Sequence, residues 1–256
     1  MLINDLTKSI DTILLPEVRK IINTVTPDFN GRYTYETDIK SWLSPVIDLK
    51  KFYVYPMNGI TGAIDWWVSR ERRGIKKAVG DYEWIDTTGD QVLYMTSPSS
   101  IDGNHAEIPT NIPVVLDIAY VGSAYPQRIE LPNNVEKVFF SLSKSYGINN
   151  VRTGWYFTKR PDYKLHKLVY EAKYYNRYAN QVSEIIIKNF NLTYAYNKLK
   201  VYQQQVCQKY DLQPSECMWI ANSTKSKYIN YIRAGKTARL CITNLIKKEM
   251  ICKNMI

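Results

Sequence analysis

Histidine and cysteine are scarce in this 256-residue chain, with two of the first and four of the second. Cys207, Cys217, Cys241 and Cys252 form no C-x-x-C pair and all lie in the C-terminal fifth. With only His105 and His166 beside them, no zinc-type ligand set assembles, and no metal is expected. Reduced thiols and a cytoplasmic location fit this usage better than two disulfides. No apolar run approaches the ~18 residues that a membrane-spanning helix needs. The amphipathic start carries Asp5 and Asp11, which does not suit a signal peptide. Repeats and low-complexity tracts are missing as well.

Clustered charge is also missing. Thirty-four Lys and Arg against 24 Asp and Glu give a formal net charge of +10, a balance that suits an anionic partner. Yet the basic residues are dispersed. The densest group, RERRGIKK from Arg70 to Lys77, contains an acid and falls on an expected helix. It reads as a solvated helix face, so neither nucleic acid nor membrane is expected as a partner.

What is present is ordinary globular material, 45 % apolar and 23 % charged, sufficient for a large core. Residues 1–25 predict a helix interrupted at Pro16, and Asp38–Val46 a second one. NGITGAIDWWVSRERRGIKKAV predicts a turn and a long helix. DQVLYMT, IPVVLDIAY, VEKVFFSLS and GWYFTK predict four strands, apolar on both faces and therefore buried on both sides in a largely parallel sheet. Beyond Pro161 the chain turns mostly helical to residue 210, with a break near NFNLT. A strand (MWIAN), a helix (SKYINYIRA) and a last strand (ARLCIT) follow. The expected fold class is α/β: a mainly parallel sheet sandwiched by helices, with a smaller C-terminal α/β domain. The expected division is an N-terminal helical segment (1–50), a large ligand-binding domain (51–175) and a small domain (176–256).

In such folds chemistry gathers at the carboxyl ends of the strands. Three places qualify: Asp117 and Tyr120 after PVVL, Ser141, Ser143 and Lys144 after KVFF, and Thr61 in the glycine-bounded turn NGITG that opens a helix. A helix N-terminus is an anion site, although Thr61 alone serves equally as a cap. Asp117 alone fits a surface ion pair, and Lys144 alone an exposed loop. Together with Arg152, however, these residues place an amine, a carboxylate and a set of phosphate-binding groups at the ends of one sheet. An amine suits a Schiff base with an aldehyde if burial lowers its pKa. Arg152, Thr61, Ser141 and Ser143 suit a phosphate, and a carboxylate holds a ring nitrogen protonated. Aldehyde, phosphate and basic ring nitrogen on one ligand describe pyridoxal 5′-phosphate.

The stretch FSLSKSYGINNVRTGWYF resembles the lysine signature S-x-S-K-x-x-G-x-x-x-x-R-x-G of class I/II aminotransferases, fold-type I pyridoxal-phosphate enzymes of the aspartate aminotransferase kind. Ser141, Ser143, Lys144, Gly147, Arg152 and Gly154 stand in register with it. DIAY (Asp117, Ala119, Tyr120) resembles the family's D-x-A-Y, GITGA (Gly59, Ile60, Thr61) its phosphate turn, and ARLCIT its carboxylate-binding arginine, here Arg239. The similarity covers residues 56 to 245.

The resemblance implies the following roles. Lys144 forms the Schiff base and moves the Cα proton. Asp117 pairs with the ring nitrogen, and Tyr120 donates to the phenolic oxygen. Gly59, Ile60, Thr61, Ser141, Ser143 and Arg152 hold the phosphate, and Arg239 clamps the α-carboxylate. Tyr82 of GDYEW is expected to stack on the ring, with Trp84 pointing elsewhere. Where the family carries an asparagine in its N-N-P-x-G loop, SPSSIDGN offers Ser100, or Asn104 reaching in. The implied activity moves an amino group between an α-amino acid and a 2-oxo acid, in a homodimer to which the aromatic GRYTYETD segment contributes. Two alternatives keep the fold: a lyase of the alliinase or aminocyclopropane-carboxylate synthase type, and a non-catalytic protein that only binds the cofactor.

Overall fold

The computed structural model describes residues 5–26 and 35–252. The first half of GRYTYETD, residues 31–34, therefore lies outside the described residues, and so does any test of its contribution to a neighbour. The chain runs through α1 (Pro16–Ile22), α2 (Tyr35–Leu43), β1 (Tyr53–Pro56), α3 (Gly59–Val68), β2 (Ile75–Lys77), β3 (Val92–Thr96), β4 (Val114–Asp117) and β5 (Val135–Phe140). It continues with α4 (Ser143–Tyr146), β6 (Trp155–Thr158), α5 (Tyr163–His166), α6 (Arg177–Asn189) and α7 (Tyr194–Tyr210). The last elements are β7 (Gln213–Pro214), β8 (Ile220–Ser223), β9 (Ile232–Ala234), β10 (Thr237–Cys241) and α8 (Thr243–Cys252).

Six strands form one sheet in the order β1-β6-β5-β4-β3-β2. The run β2, β3, β4, β5 is parallel, while β6 and β1 join antiparallel. The reason lies in composition: β4 and β6 are buried at every residue, which only a sheet covered on both faces can accommodate. Ala63, Ile64 and Trp67 of α3 close one face against Tyr94, Val115, Phe139 and Tyr156. The other face joins a larger apolar cluster that includes Val182 and Ile186 of α6 and Leu199 and Val206 of α7. Register sets Thr96 beside Asp117 and Asp117 beside Phe139, so the carboxyl ends of β3, β4 and β5 lie level.

A second, antiparallel sheet has the order β7-β8-β10-β9. Its core residues Trp219, Ile220 and Leu240 belong to the same large apolar cluster as Val114 and Leu116 of the first sheet. Gln203 of α7, fully buried, donates to the carbonyls of Ser215, Cys217 and Ile220 and staples the β7–β8 turn in place.

Three elements differ from the sequence expectation. Among the described residues of the N-terminal segment the α-helix starts at Pro16, whose fixed φ suits a first helical position. Before it, residues 5–15 run as a strap across the strand ends, pairing Thr7 with Cys241 of β10. The helix opened by NGITG stops at Val68 rather than crossing RERRGIKK. Arg70 lies over the Trp66 ring, and Arg73 is bridged by Glu71 and Glu136. Ile75–Lys77 then adds the edge strand β2, because Ile75 has a buried slot beside Val92. SKYINYIRA makes a short 3-10 turn and then β9, since β10 offers an edge to pair with. All four cysteines are free thiols. Among the described residues no helix is long and apolar enough to cross a membrane.

Candidate active site

A cavity of about 340 Å³ opens at the level carboxyl ends of β3, β4 and β5. Ile60, Thr61, Tyr82, Ser100, Asp117, Tyr120, Ser141, Ser143, Lys144, Arg152 and Arg239 all line it, drawn from five stretches at the ends of the main sheet's strands and one strand of the second sheet. Its volume lies in the range of small-molecule sites. Gly59 stands behind this wall: a Cβ there would meet Arg152 Nη2 at 2.8 Å, and its φ of +71° suits only glycine. The glycine thus lets the Arg152 guanidinium lie against the first turn of α3, donating to the Asn58 carbonyl at 3.2 Å. No side chain caps α3; the Gly59 N–H donates to the Met57 carbonyl at 2.9 Å, and the first turn lines the cavity with Ile60 and Thr61.

Asp117 is buried at the end of β4. It accepts hydrogen bonds from the Tyr94 hydroxyl (2.7 Å) and the Ala119 N–H (2.7 Å). Burial pushes its carboxyl up to about 7, opposed by those two hydrogen bonds and helped by the nearby Asp81 charge. The Lys144 amine, whose pKa burial lowers, donates to the Ile10 carbonyl of the strap at 2.9 Å. Arg239 is 1 % exposed and has no carboxylate partner among the described residues. It donates to the carbonyls of Ser100 (3.3 Å) and Lys8, and its Nε has no acceptor at all. Burial lowers its pKa, and the neighbouring Arg233 adds to that.

Sequence reasoning passed over several contributors. Asp81 is buried beneath the cavity and accepts from Ser100 Oγ (2.6 Å), Thr96 Oγ1 (2.9 Å) and the Tyr82 N–H (2.8 Å). Ser100 therefore spends its proton on Asp81, and Asn104 spends its side-chain oxygen on the Glu216 N–H. Trp84 lines the cavity together with Tyr82, because GDYEW forms turns rather than the extended segment that would have separated them. Arg233 and the strap residues Ser9 and Ile10 complete the lining. A buried acid directly before Tyr82 gives no pattern to search for, and main-chain carbonyls give none either.

The fold is that of fold-type I pyridoxal-phosphate-dependent aminotransferases. No protein-family model and no curated protein matches the sequence. The similarity is to solved structures. Histidinol-phosphate aminotransferase from Sinorhizobium meliloti, in complex with pyridoxal-5′-phosphate, superposes with a TM-score of 0.66 at 13% identity, covering 95% of this chain and 91% of that one. Tyrosine aminotransferase from Leishmania infantum gives 0.67 at 11% identity over 100% and 95%. The PLP-bound C-S lyase from Staphylococcus hominis gives 0.68 at 11% identity over 96% and 91%.

The residues fit pyridoxal phosphate on their own chemistry. A helix start without a side-chain cap, the three hydroxyls of Thr61, Ser141 and Ser143, and Arg152 suit its phosphate. A buried carboxylate without a cation suits its ring nitrogen. A buried amine without a carboxylate suits its aldehyde.

Proposed function

We propose that this chain is a pyridoxal-phosphate-dependent aminotransferase that moves an amino group between an α-amino acid and a 2-oxo acid. One observation carries the reading. Lys144, Asp117 and Arg239 converge on a single cavity, Asp117 and Arg239 buried and Lys144 half-buried, and none is held by a side chain of opposite charge among the described residues. A structural lysine, aspartate or arginine at such depth is normally paired.

The cofactor, when bound, supplies the electron-withdrawing ring that carries the amino group between the two substrates. The chain's own residues do the rest. Lys144, its amine kept toward the neutral form by burial, holds the aldehyde, then takes the proton from the substrate Cα and later returns it. Asp117 keeps a proton on the ring nitrogen, and the ion pair formed there supplies the charge that its burial otherwise penalises. Thr61, Ser141, Ser143, Arg152 and the Ile60 amide would hold the phosphate, with Gly59 giving Arg152 room at the same turn. Tyr82 and Tyr120 line the same cavity, where Tyr82 would pack on the ring and Tyr120 would donate to its phenolic oxygen. Arg239 takes the α-carboxylate in exchange for the Lys8 carbonyl, a bidentate partner in place of a single neutral acceptor. The strap from Thr7 to Asp11 keeps water out above Lys144.

A lyase is the second reading, and Ser100 favours it. With its proton committed to Asp81, the ring's phenolic oxygen loses the donor that the asparagine of an aminotransferase supplies. The test is a visible spectrum of the purified protein with pyridoxal phosphate, before and after a pool of amino acids. Loss of the cofactor band with stoichiometric release of 2-oxo acid supports amino transfer, whereas a persistent band with catalytic release of ammonia and 2-oxo acid marks a lyase. Lys144→Ala is expected to abolish covalent attachment and turnover. Full turnover in that variant sinks the proposal.

A further inference from the structure

Asp81 lies in the turn between β2 and β3, buried, and only accepts hydrogen bonds. Its Oδ1 takes the Tyr82 N–H (2.8 Å), the Thr96 hydroxyl (2.9 Å) and the Ser100 hydroxyl (2.6 Å), and its Oδ2 takes the Thr96 N–H (3.2 Å). The two hydroxyls differ in what they have left. Thr96 Oγ1 also accepts the Ser100 N–H at 2.7 Å, so it is engaged in both directions. Ser100 Oγ has committed its one proton to Asp81, and no donor among the described residues reaches its lone pairs. A hydroxyl–carboxylate bond of this length is charge-assisted and holds the proton on that side. Ser100 lines the cavity, and it therefore meets a ligand there as an acceptor.

The ring of pyridoxal phosphate carries its phosphate arm, aldehyde and hydroxyl on successive carbons, with the nitrogen across from the aldehyde. The sheet order β1-β6-β5-β4-β3 matches that sequence of groups. Thr61 after β1 and Arg152 before β6 stand on the phosphate side. Lys144 after β5 and Asp117 of β4 stand in the middle, and Ser100 follows β3 on the far side. Thr96, which holds the Ser100 N–H, is level with Asp117. The group left for Ser100 is the ring hydroxyl. We propose that Asp81 is a positioning residue that acts through Ser100: it makes that hydroxyl an acceptor, so that the cavity takes the ring hydroxyl as a donor and holds it un-ionised. The role rests on the pyridoxal-phosphate reading of the cavity and is independent of whether amino transfer follows.

Other groups face the same floor. Tyr94 commits its hydroxyl to Asp117, while Tyr120 can donate to the ring oxygen whether or not that oxygen is ionised. Asp117 and Glu83 disfavour a negative ring oxygen, whereas Lys144, Arg233, Arg239 and the more distant Lys8 favour one. None of these cations pairs with Asp81 among the described residues. All of these groups are common to the variants compared below, so differences between variants report on Asp81 and Ser100 alone.

The probe is pyridoxine 5′-phosphate, which carries the ring, hydroxyl and phosphate but no aldehyde, and so leaves Lys144 unmodified. Its ultraviolet spectrum, recorded across a pH series with protein in excess, reads the ionisation of the ring hydroxyl. Binding to the wild type is expected to raise the midpoint by about one to two pH units over the free ligand, from one hydrogen bond gained and one repulsion between lone pairs avoided. Ser100→Ala is expected to return most of that rise. Asp81→Ala frees the Ser100 proton for the ring oxygen and is expected to lower the midpoint further. Because that variant also removes a charge, it is repeated in the Ser100→Ala background, where the drop is expected to be at most about half as large. An equal drop in both backgrounds overturns the proposal, since Asp81 then acts by its charge alone. A wild-type midpoint at or below that of the free ligand, a measurement that needs no variant to fold, overturns it too. So does an Asp81→Ala protein that binds more weakly at every pH with its midpoint unmoved, the mark of a merely structural role. Failure of the wild type to bind the probe refutes the cofactor reading and this role with it. Binding with an unshifted midpoint refutes the role alone.

Discussion

Asp117 shows how a residue chosen for chemistry weighs on the fold around it. Burial pushes its carboxyl from the ordinary aspartate value of 3.8 up to about 7 in the folded chain. The folded state therefore holds the proton more tightly, and stability falls as pH rises from about 4 to about 7. A shift of this size corresponds to up to about 4 kcal/mol. Asp117→Asn keeps the shape and removes the buried charge. The cofactor-free variant is expected to melt several degrees above the wild type at pH 8 and level with it at pH 4, by calorimetry. A lower melting temperature at pH 8 would show that the carboxylate is not penalised by its burial.

At this scale the site was legible where spacing fixes geometry. Lys144 and Arg152 sit eight residues apart because a one-turn helix and a 3-10 turn lie between them, a fold-imposed interval that survives in the sequence. Asp81 left no such trace. It works by accepting hydrogen bonds from residues up to 19 positions away, and any buried acid in a turn looks the same in one dimension.

Among the elements, the buried strands were readable and the N-terminal strap was not. β4 and β6 announce themselves because residues buried on both faces leave no polar alternation. The edge strands β2 and β9 carry charges and read as helix, since only a neighbouring strand decides their pairing. The strap resembles a helix by its apolar spacing, but Thr7, Lys8 and Ile10 give their carbonyls to Cys241, Arg239 and Lys144 instead. Gly147 controls its approach. A Cβ at that position, where φ is +69°, would lie 2.4 Å from the Ile13 carbonyl oxygen. Gly147→Ala is expected to lift the strap, cost about 1–3 kcal/mol through backbone strain and open residues 7–15 to limited proteolysis. Unaltered cleavage kinetics would show that the strap is held independently of this turn.

For the whole molecule, one apolar cluster runs through both sheets, joining Val114, Leu116 and Phe140 to Trp219, Leu240 and Leu245. Sheets that share a core lose it together. Denaturant unfolding is expected to give coincident transitions by far-ultraviolet circular dichroism and tryptophan fluorescence. Two separated midpoints would mean that each sheet is stable without the other. This continuity was beyond the sequence, where the change of character after Pro161 suggests separate units. Which apolar faces meet depends on contacts between residues more than a hundred positions apart.

The strap also sets an order of events during synthesis. It is made before its partners Arg239, Cys241, Thr243 and Lys247, which follow more than two hundred residues later. At the ~5–20 residues per second of translation, Lys144 waits several seconds before both walls of its cavity exist. A nascent chain stalled before β10 has the lysine, the aspartate and the phosphate turn, but no roof over them. Cofactor retention by such a chain is therefore a measure of what the roof alone contributes.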